Sequence, residues 1–152
     1  LESTVELDTG NPLRLLGLDV GDRRIGIAIS DPTGCLATPV EIYTRRAAEA
    51  DVSHIDALCR GLEASAVVVG LPKNMNGSEG PQAEKTREFA NALADHGIRV
   101  KLWDERLSTV EATRRREGRG RRGRSKQQRL DAEAAAVILE TYLDHLRLKG
   151  KQ

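Results

Sequence analysis

The chain predicts an α/β fold: a five-stranded mixed sheet, its first three strands antiparallel, with helices on both faces. Three observations predict it. Two apolar runs with strand patterning open the chain and no helical stretch separates them. Helical spacing and short apolar strands then alternate, which is the signature of helices packed on a sheet. The chain closes on one long segment of helical spacing. With 152 residues it has the size of one domain, and such a domain buries roughly 70% of its unfolded surface.

Residues 1–12 are expected to be a loose leader ahead of a single domain over 13–148. Leu13 to Val20 (LRLLGLDV) is apolar enough for a strand buried on both faces. Gly21-Asp22 signals a turn. Ile25, Ile27 and Ile29 then alternate with Gly26, Ala28 and Ser30, placing large residues on one face and small ones on the other. The two runs make an antiparallel hairpin. Asp31-Pro32-Thr33-Gly34 is a second turn, with Asp31 as its structural residue, and a third strand is expected from Cys35 to Tyr43. Helical spacing runs from Ala47 to Gly61, and Ala66 to Gly70 (AVVVG) is a short apolar strand. Leu71 to Gly80 is a loop. Pro81 stands where a first helical residue would, and Gly97 stops that helix after His96. Ile98 to Trp103 is the fifth strand. Ser108 to Arg116 opens a helix with Ser108 and Glu111 as a capping box, and Gln127 to Leu148 is the final helix.

The net charge of +1 hides an asymmetry. Residues 114–129 hold eight Arg and one Lys against one Glu, a local charge of +8. The other fifteen cations and twenty-two carboxylates leave −7 on the rest. A flexible basic loop, 117–126, is thus attached to an acidic body, and arginines at this density neutralise phosphates. Aromatic residues make up only 3%, so backbone contacts are expected to outweigh base stacking. Two cysteines, Cys35 and Cys59, make no disulfide framework, and the three histidines form no zinc pattern. No apolar run reaches the ~20 residues of a membrane span, and a cytoplasmic location with no membrane partner is expected.

Three carboxylates sit where carboxylates are costly. Asp19 interrupts the first strand between Leu18 and Val20. Glu105 follows the fifth strand, at the sheet end where open α/β folds bind ligands. Asp131 lies on the stripe 131, 135, 138, 142, which otherwise holds Ala135, Ile138 and Tyr142. Acids from three distant segments could converge on Mg²⁺ or Mn²⁺, since hard oxygen ligands suit such ions. Two ions ~4 Å apart suit in-line attack of water on a phosphodiester. Arg23 and Arg24 at the hairpin turn, with Lys73, Asn74 and Asn76 in the loop after the fourth strand, are candidate backbone contacts. Arg119, Arg121, Arg122 and Arg124 of the basic loop join them.

Four segments then carry a resemblance. Gly17-Leu-Asp-Val-Gly-Asp-Arg-Arg-Ile-Gly-Ile-Ala-Ile-Ser-Asp31, Val69-Gly-Leu-Pro-Lys-Asn-Met-Asn-Gly-Ser-Glu-Gly80, Asp104-Glu-Arg-Leu-Ser-Thr109 and Asp131-Ala-Glu-Ala-Ala-Ala136 lie in order across most of residues 14–143. Together they resemble the YqgF (RuvX-like) family. The resemblance implies a ribonuclease H-like fold, similar to RuvC-type Holliday junction resolvases. It implies a metal-dependent nuclease associated with maturation of the 5′ end of precursor 16S ribosomal RNA. The family's acidic positions fall on Asp19, Glu105 and Asp131, which would be both catalytic and metal-binding. The arginine-glycine stretch is richer in arginine than the family's usual loop.

The expected partner is structured nucleic acid, either precursor rRNA or branched DNA, and the expected state is a monomer or homodimer. Junction resolution is the alternative to rRNA processing, because both use the same metal chemistry. A non-catalytic nucleic-acid-binding module would need the basic loop but not the carboxylates. Nucleotide hydrolysis of the actin and sugar-kinase type would need a second such domain. A phosphate-binding GxxxxGK[ST] loop is ruled out because Ile27-Ala28 follow Gly21 to Gly26.

Overall fold

The computed structural model describes residues 14–107 and 126–150, with the side chains of 126–131 and 150 excepted. Strands β1 (Leu15–Val20), β2 (Arg24–Ser30) and β3 (Ala37–Thr44) are followed by helix α1 (Ala48–Gly61) and strand β4 (Ala66–Leu71). Helix α2 (Pro81–Asp95), strand β5 (Val100–Asp104), a 3₁₀ turn (Glu105–Leu107) and helix α3 (Lys126–Gly150) complete the order. The helix expected over Ser108–Arg116, the leader 1–12 and nearly all of the basic loop lie outside the described residues.

The sheet order is β3-β2-β1-β4-β5. β1 and β2 pair antiparallel from Leu16↔Ile29 to Val20↔Ile25, and β2 pairs antiparallel with β3. β4 lies parallel to β1 on one side and to β5 on the other. The mixed sheet with three antiparallel strands follows the sequence pattern. The central strands are apolar on both faces because both faces are covered. Leu16, Leu18, Ile25, Ile27, Val67 and Val69 pack with Val52, Ile55, Phe89 and Leu93 of α1 and α2. Leu15, Ala28 and Val68 face Ala135, Ile138, Leu139 and Tyr142 of α3. The small face of β2 is thus the α3 face.

Several element boundaries differ from expectation by one or two residues, and at two of them a local hydrogen bond wins. β3 begins at Ala37 rather than Cys35. The Asp31 carboxylate accepts from Thr33 Oγ1 (2.8 Å), Cys35 N (2.9 Å) and Leu36 N (3.2 Å), so these residues close a turn instead of pairing. β5 begins at Val100 rather than Ile98. Ile98 N donates to Leu93 O and Gly97 N to Ala94 O, with Gly97 at φ +94°, so Ile98 completes the cap of α2. β5 also runs on to Asp104, opposite Leu71. Pro81 is the first residue of α2 as expected.

Candidate active site

The site is read from which face each strand residue takes. Successive strand side chains alternate, so Asp19 shares the face of Leu15 and Gly17, the α3 face. Gly17 lets the helix come close. A Cβ there would lie 2.8 Å from Leu139 Cβ and 2.9 Å from Ala135 O. Across from Asp19 stands Gly26, so no side chain crowds it from β2. On β4, Ala66 and Val68 face α3, and Gly70 continues that row.

Glu105 folds back over this row. Its Oε2 lies 2.9 Å and its Cγ 3.0 Å from the point where a Gly70 Cβ would be, beside Ile138 Cδ1 of α3 at 2.5 Å. Any larger residue at 70 would require the Ile138 or Glu105 side chain to shift. Burial, with the neighbouring Asp104 charge adding to it, pushes the Glu105 carboxyl above the usual glutamate range. Among the described residues it has no hydrogen-bond or ion-pair partner. Asp19 and Glu105 are therefore brought to the same face of the sheet, at the carboxyl ends of the parallel strands.

Asp131 belongs to α3, one turn before Ala135. Ala135 and Leu139 both meet the Gly17 position, two residues before Asp19 on β1. The Asp131 side chain lies outside the described residues, and among those that are described no three metal-ligating side chains cluster. Arg119, Arg121, Arg122 and Arg124 also lie outside them.

The candidate backbone contacts separate into two groups. By alternation Arg24 shares the α3 face with Gly26 and Ala28, diagonal to Asp19. Arg23 instead lines a cleft on the opposite face, away from the carboxylates. Asn74 and Asn76 are occupied by their own turn. Asn74 Nδ2 donates to Ser78 Oγ (2.8 Å), and Asn76 Oδ1 accepts from Ser78 N (2.9 Å) and Ser78 Oγ (2.6 Å). Their side chains shape the loop.

Lys73 is half-buried, and its charge acts on both Asp104 and Glu79. Sequence reasoning passed over Arg106. Its guanidinium grips Asp104 (Nη2 to Oδ2 2.7 Å) and donates to Met75 O (3.3 Å), tying the loop after β4 to the end of β5. That hydrogen bond is the main reason the Asp104 carboxyl sits below its ordinary value. The DER spacing could have signalled the pair, because an Arg two residues after an Asp at a strand end can fold back on it.

The three histidines are engaged elsewhere. His54 stacks on Tyr43 and contacts Glu41, His96 stands 3.7 Å from Asp56, and His145 packs on Trp103. Cys59 is buried, and burial pushes its thiol up to about 11; Cys35 is half-exposed. No described helix is long and apolar enough to cross a membrane.

Comparison with known proteins is consistent with this geometry. A Clostridium botulinum protein is 47% identical over 136 residues, covering 88% of this chain and 98% of its own. A Halothermothrix orenii protein is 45% identical, covering 88% and 96%. Both carry pre-16S rRNA nuclease as a provisional name. Among solved structures, Thermus thermophilus RuvC in complex with a Holliday junction substrate superposes with a TM-score of 0.60 at 17% identity, covering 90% of this chain and 96% of that one. The fold is thus ribonuclease H-like. The family described as RuvX, Holliday junction resolvase, matches residues 13–145. By that match and by these relatives, the chain belongs to the RuvX family.

Proposed function

We propose that this chain is a divalent-metal-dependent endonuclease that hydrolyses phosphodiester bonds, acting in maturation of the 5′ end of precursor 16S rRNA. The observation that carries the reading is the Glu105 carboxylate. It is half-buried over Gly70 without a cationic partner among the described residues, on the same face as Asp19. A buried carboxylate is costly unless a cation or proton joins it. An all-oxygen donor set of Asp19, Glu105 and Asp131 fits Mg²⁺ or Mn²⁺. When bound, such ions make hydroxide available near neutral pH and stabilise charge on the phosphate oxygens.

The chain's own groups do the rest. Gly17 and Gly70 let α3 close over the sheet, which fixes the helix beside the carboxylates. Arg24 and Lys73 supply positive charge beside an otherwise repulsive cluster of acids. Arg106 holds Asp104 aside so that its carboxylate pairs with a guanidinium. The names of the curated relatives support precursor rRNA as the substrate.

The family description and the RuvC likeness favour a second reading, cleavage of a four-way DNA junction. Two symmetric cuts would then require two copies of the chain. The test is cleavage of a labelled precursor 16S 5′ leader and a labelled four-way DNA junction, each with Mg²⁺, Mn²⁺ or EDTA. Metal-dependent cutting of the leader supports the proposal, and cutting of the junction alone supports the second reading. Salt-sensitive binding of either with no cutting would reduce the chain to a binding module.

A further inference from the structure

A cleft of about 780 Å³ lies on the sheet face opposite α3, between the β1–β2 turn, the end of β3 and α2. We propose that it is a second phosphate-binding track for the nucleic acid held at the carboxylate site, an inference that rests on the nuclease reading above. Arg23, Arg46 and Lys85 present exposed cations to it. This clustering runs against a body whose charge outside 114–129 is −7.

The three cations stand on fixed backbone. Arg23 O accepts from Arg45 N at 2.8 Å, and Arg46 N donates to the fully buried Asp51 carboxylate at 2.9 Å. Lys85 projects from the first half of α2. Anchored bases of this kind lose less freedom on gripping a phosphate than side chains on a loose loop. The cleft offers little to an apolar ligand. Its Phe89 ring is buried and capped by the Arg45 guanidinium, 5.0 Å from the ring centroid, and Arg45 itself is paired with Asp51 at 3.0 Å. Lys85 Nζ stands 3.4 Å from Asp22 Oδ1, an exposed and therefore weak pair, so the charge left to attract an anion is first that of Arg23 and Arg46, with Glu88 opposing it on the rim.

Position makes the cleft an extension of the site rather than a separate one. Arg23 follows Asp19 by four positions, so their Cα atoms are within roughly 14 Å. A strand advances ~3.4 Å of duplex axis per nucleotide, so a backbone leaving the carboxylates reaches the cleft within about four nucleotides. Arg24 faces the carboxylates and Arg23 faces the cleft, so the hairpin turn is the crest over which the backbone passes.

The test uses the whole chain with Arg46→Gln and Lys85→Gln combined, since neither residue belongs to the carboxylate site. Binding of the labelled 16S leader and of the four-way junction is followed by fluorescence anisotropy across salt concentrations, in an Asp19→Asn background. Removing two phosphate-neutralising cations lowers the log–log salt slope by roughly 1.4 on single strands and 1.8 on duplex. In the active chain the same pair raises KM several-fold and leaves kcat unchanged, while Glu88→Gln tightens binding. An unchanged slope and affinity in the double variant, with the melting temperature preserved, overturns the track whether or not the chain cleaves. A reduced slope in a chain that cuts neither substrate upholds the track and refutes the nuclease reading. Absence of binding by the parent chain overturns both.

Discussion

Replacing Gly17 by Ala tests the contact that sets the height of α3 above the sheet. The added Cβ would stand 2.8 Å from Leu139 Cβ and 2.9 Å from the Ala135 carbonyl oxygen. Carbon pairs settle at about 3.5–4.0 Å, so the misfit is roughly 0.7–1.2 Å. Neither obstacle is the free end of a flexible side chain. One is helix backbone, and the other is the first side-chain atom of a residue with no exposed surface. No rotamer change clears them, so α3 must lift. Lifting by that distance opens gaps over Leu15, Ala28 and Val68, and a gap of about 0.5–1 Å forfeits a quarter to a half of each pair's attraction. Such overpacking costs about 1–3 kcal/mol. For a chain this long that lowers the melting temperature by about 3–10 °C. Activity should fall further than stability, because α3 also carries Asp131. The assay is thermal and urea unfolding followed by circular dichroism, with Gly61→Ala as the control. At Gly61, in the last turn of α1, nothing lies within 4 Å of the added carbon. There alanine is neutral or stabilising by up to about 1 kcal/mol. A Gly17→Ala chain melting within about 1 °C of the parent would refute the claim that this glycine sets the helix height.

Further outcomes follow from the same structure. Glu105 is held above its ordinary carboxyl value of 4.5, first by burial and then by Asp104, so the folded state binds that proton more tightly than the unfolded chain. Its contribution is most favourable below the ordinary glutamate value and declines as pH rises from there through the folded pKa. In chelator-treated protein Glu105→Gln should remove that decline and melt above the parent at pH 7, and Mn²⁺ should stabilise the parent alone. A variant no more stable than the parent would contradict the burial of this charge. Asp51 behaves oppositely. Burial pushes its carboxyl up, but hydrogen bonds from Arg46 N, Arg45 and Tyr43 outweigh it and leave it below 3.8. Its stabilisation is present above that value and lost as pH falls through the folded pKa. Asp51→Ala leaves Arg45 unpaired and should cost about 3 kcal/mol or more in urea unfolding. Replacing Arg119, Arg121, Arg122 and Arg124 should lower the salt slope of duplex binding by roughly 0.9 for each arginine that neutralises a phosphate, and an unchanged slope would remove the basic loop from the interface.

Much of this architecture is legible in the sequence because the deciding pattern is local. The alternation of Ile25, Ile27 and Ile29 with small residues marks both the β1–β2 hairpin and the face that receives α3. Asp19 and Glu105 are visible as carboxylates in apolar or strand-end surroundings, and the structure puts both on that face. What the sequence hides depends on packing between distant segments. Gly17 and Gly70 look like interchangeable small residues until Leu139 and Ile138 are seen against them. The separation of Arg23 from Arg24 requires knowing which faces the hairpin turn presents. Asn74 and Asn76 match a phosphate-contact pattern, and only the structure shows that they also close the turn through Ser78.

The most direct measurement is the cleavage rate of the precursor 16S leader by the parent and by Asp19→Asn, in Mn²⁺, with the melting temperature of each recorded alongside. Asn is nearly isosteric with Asp but removes the charge a hard cation needs. The parent should cut in a metal-dependent way, and the variant should lose that cutting by a factor of about 10² or more at an unchanged melting temperature. Equal cutting by an intact Asp19→Asn chain would contradict the assignment of the carboxylate face as the active site.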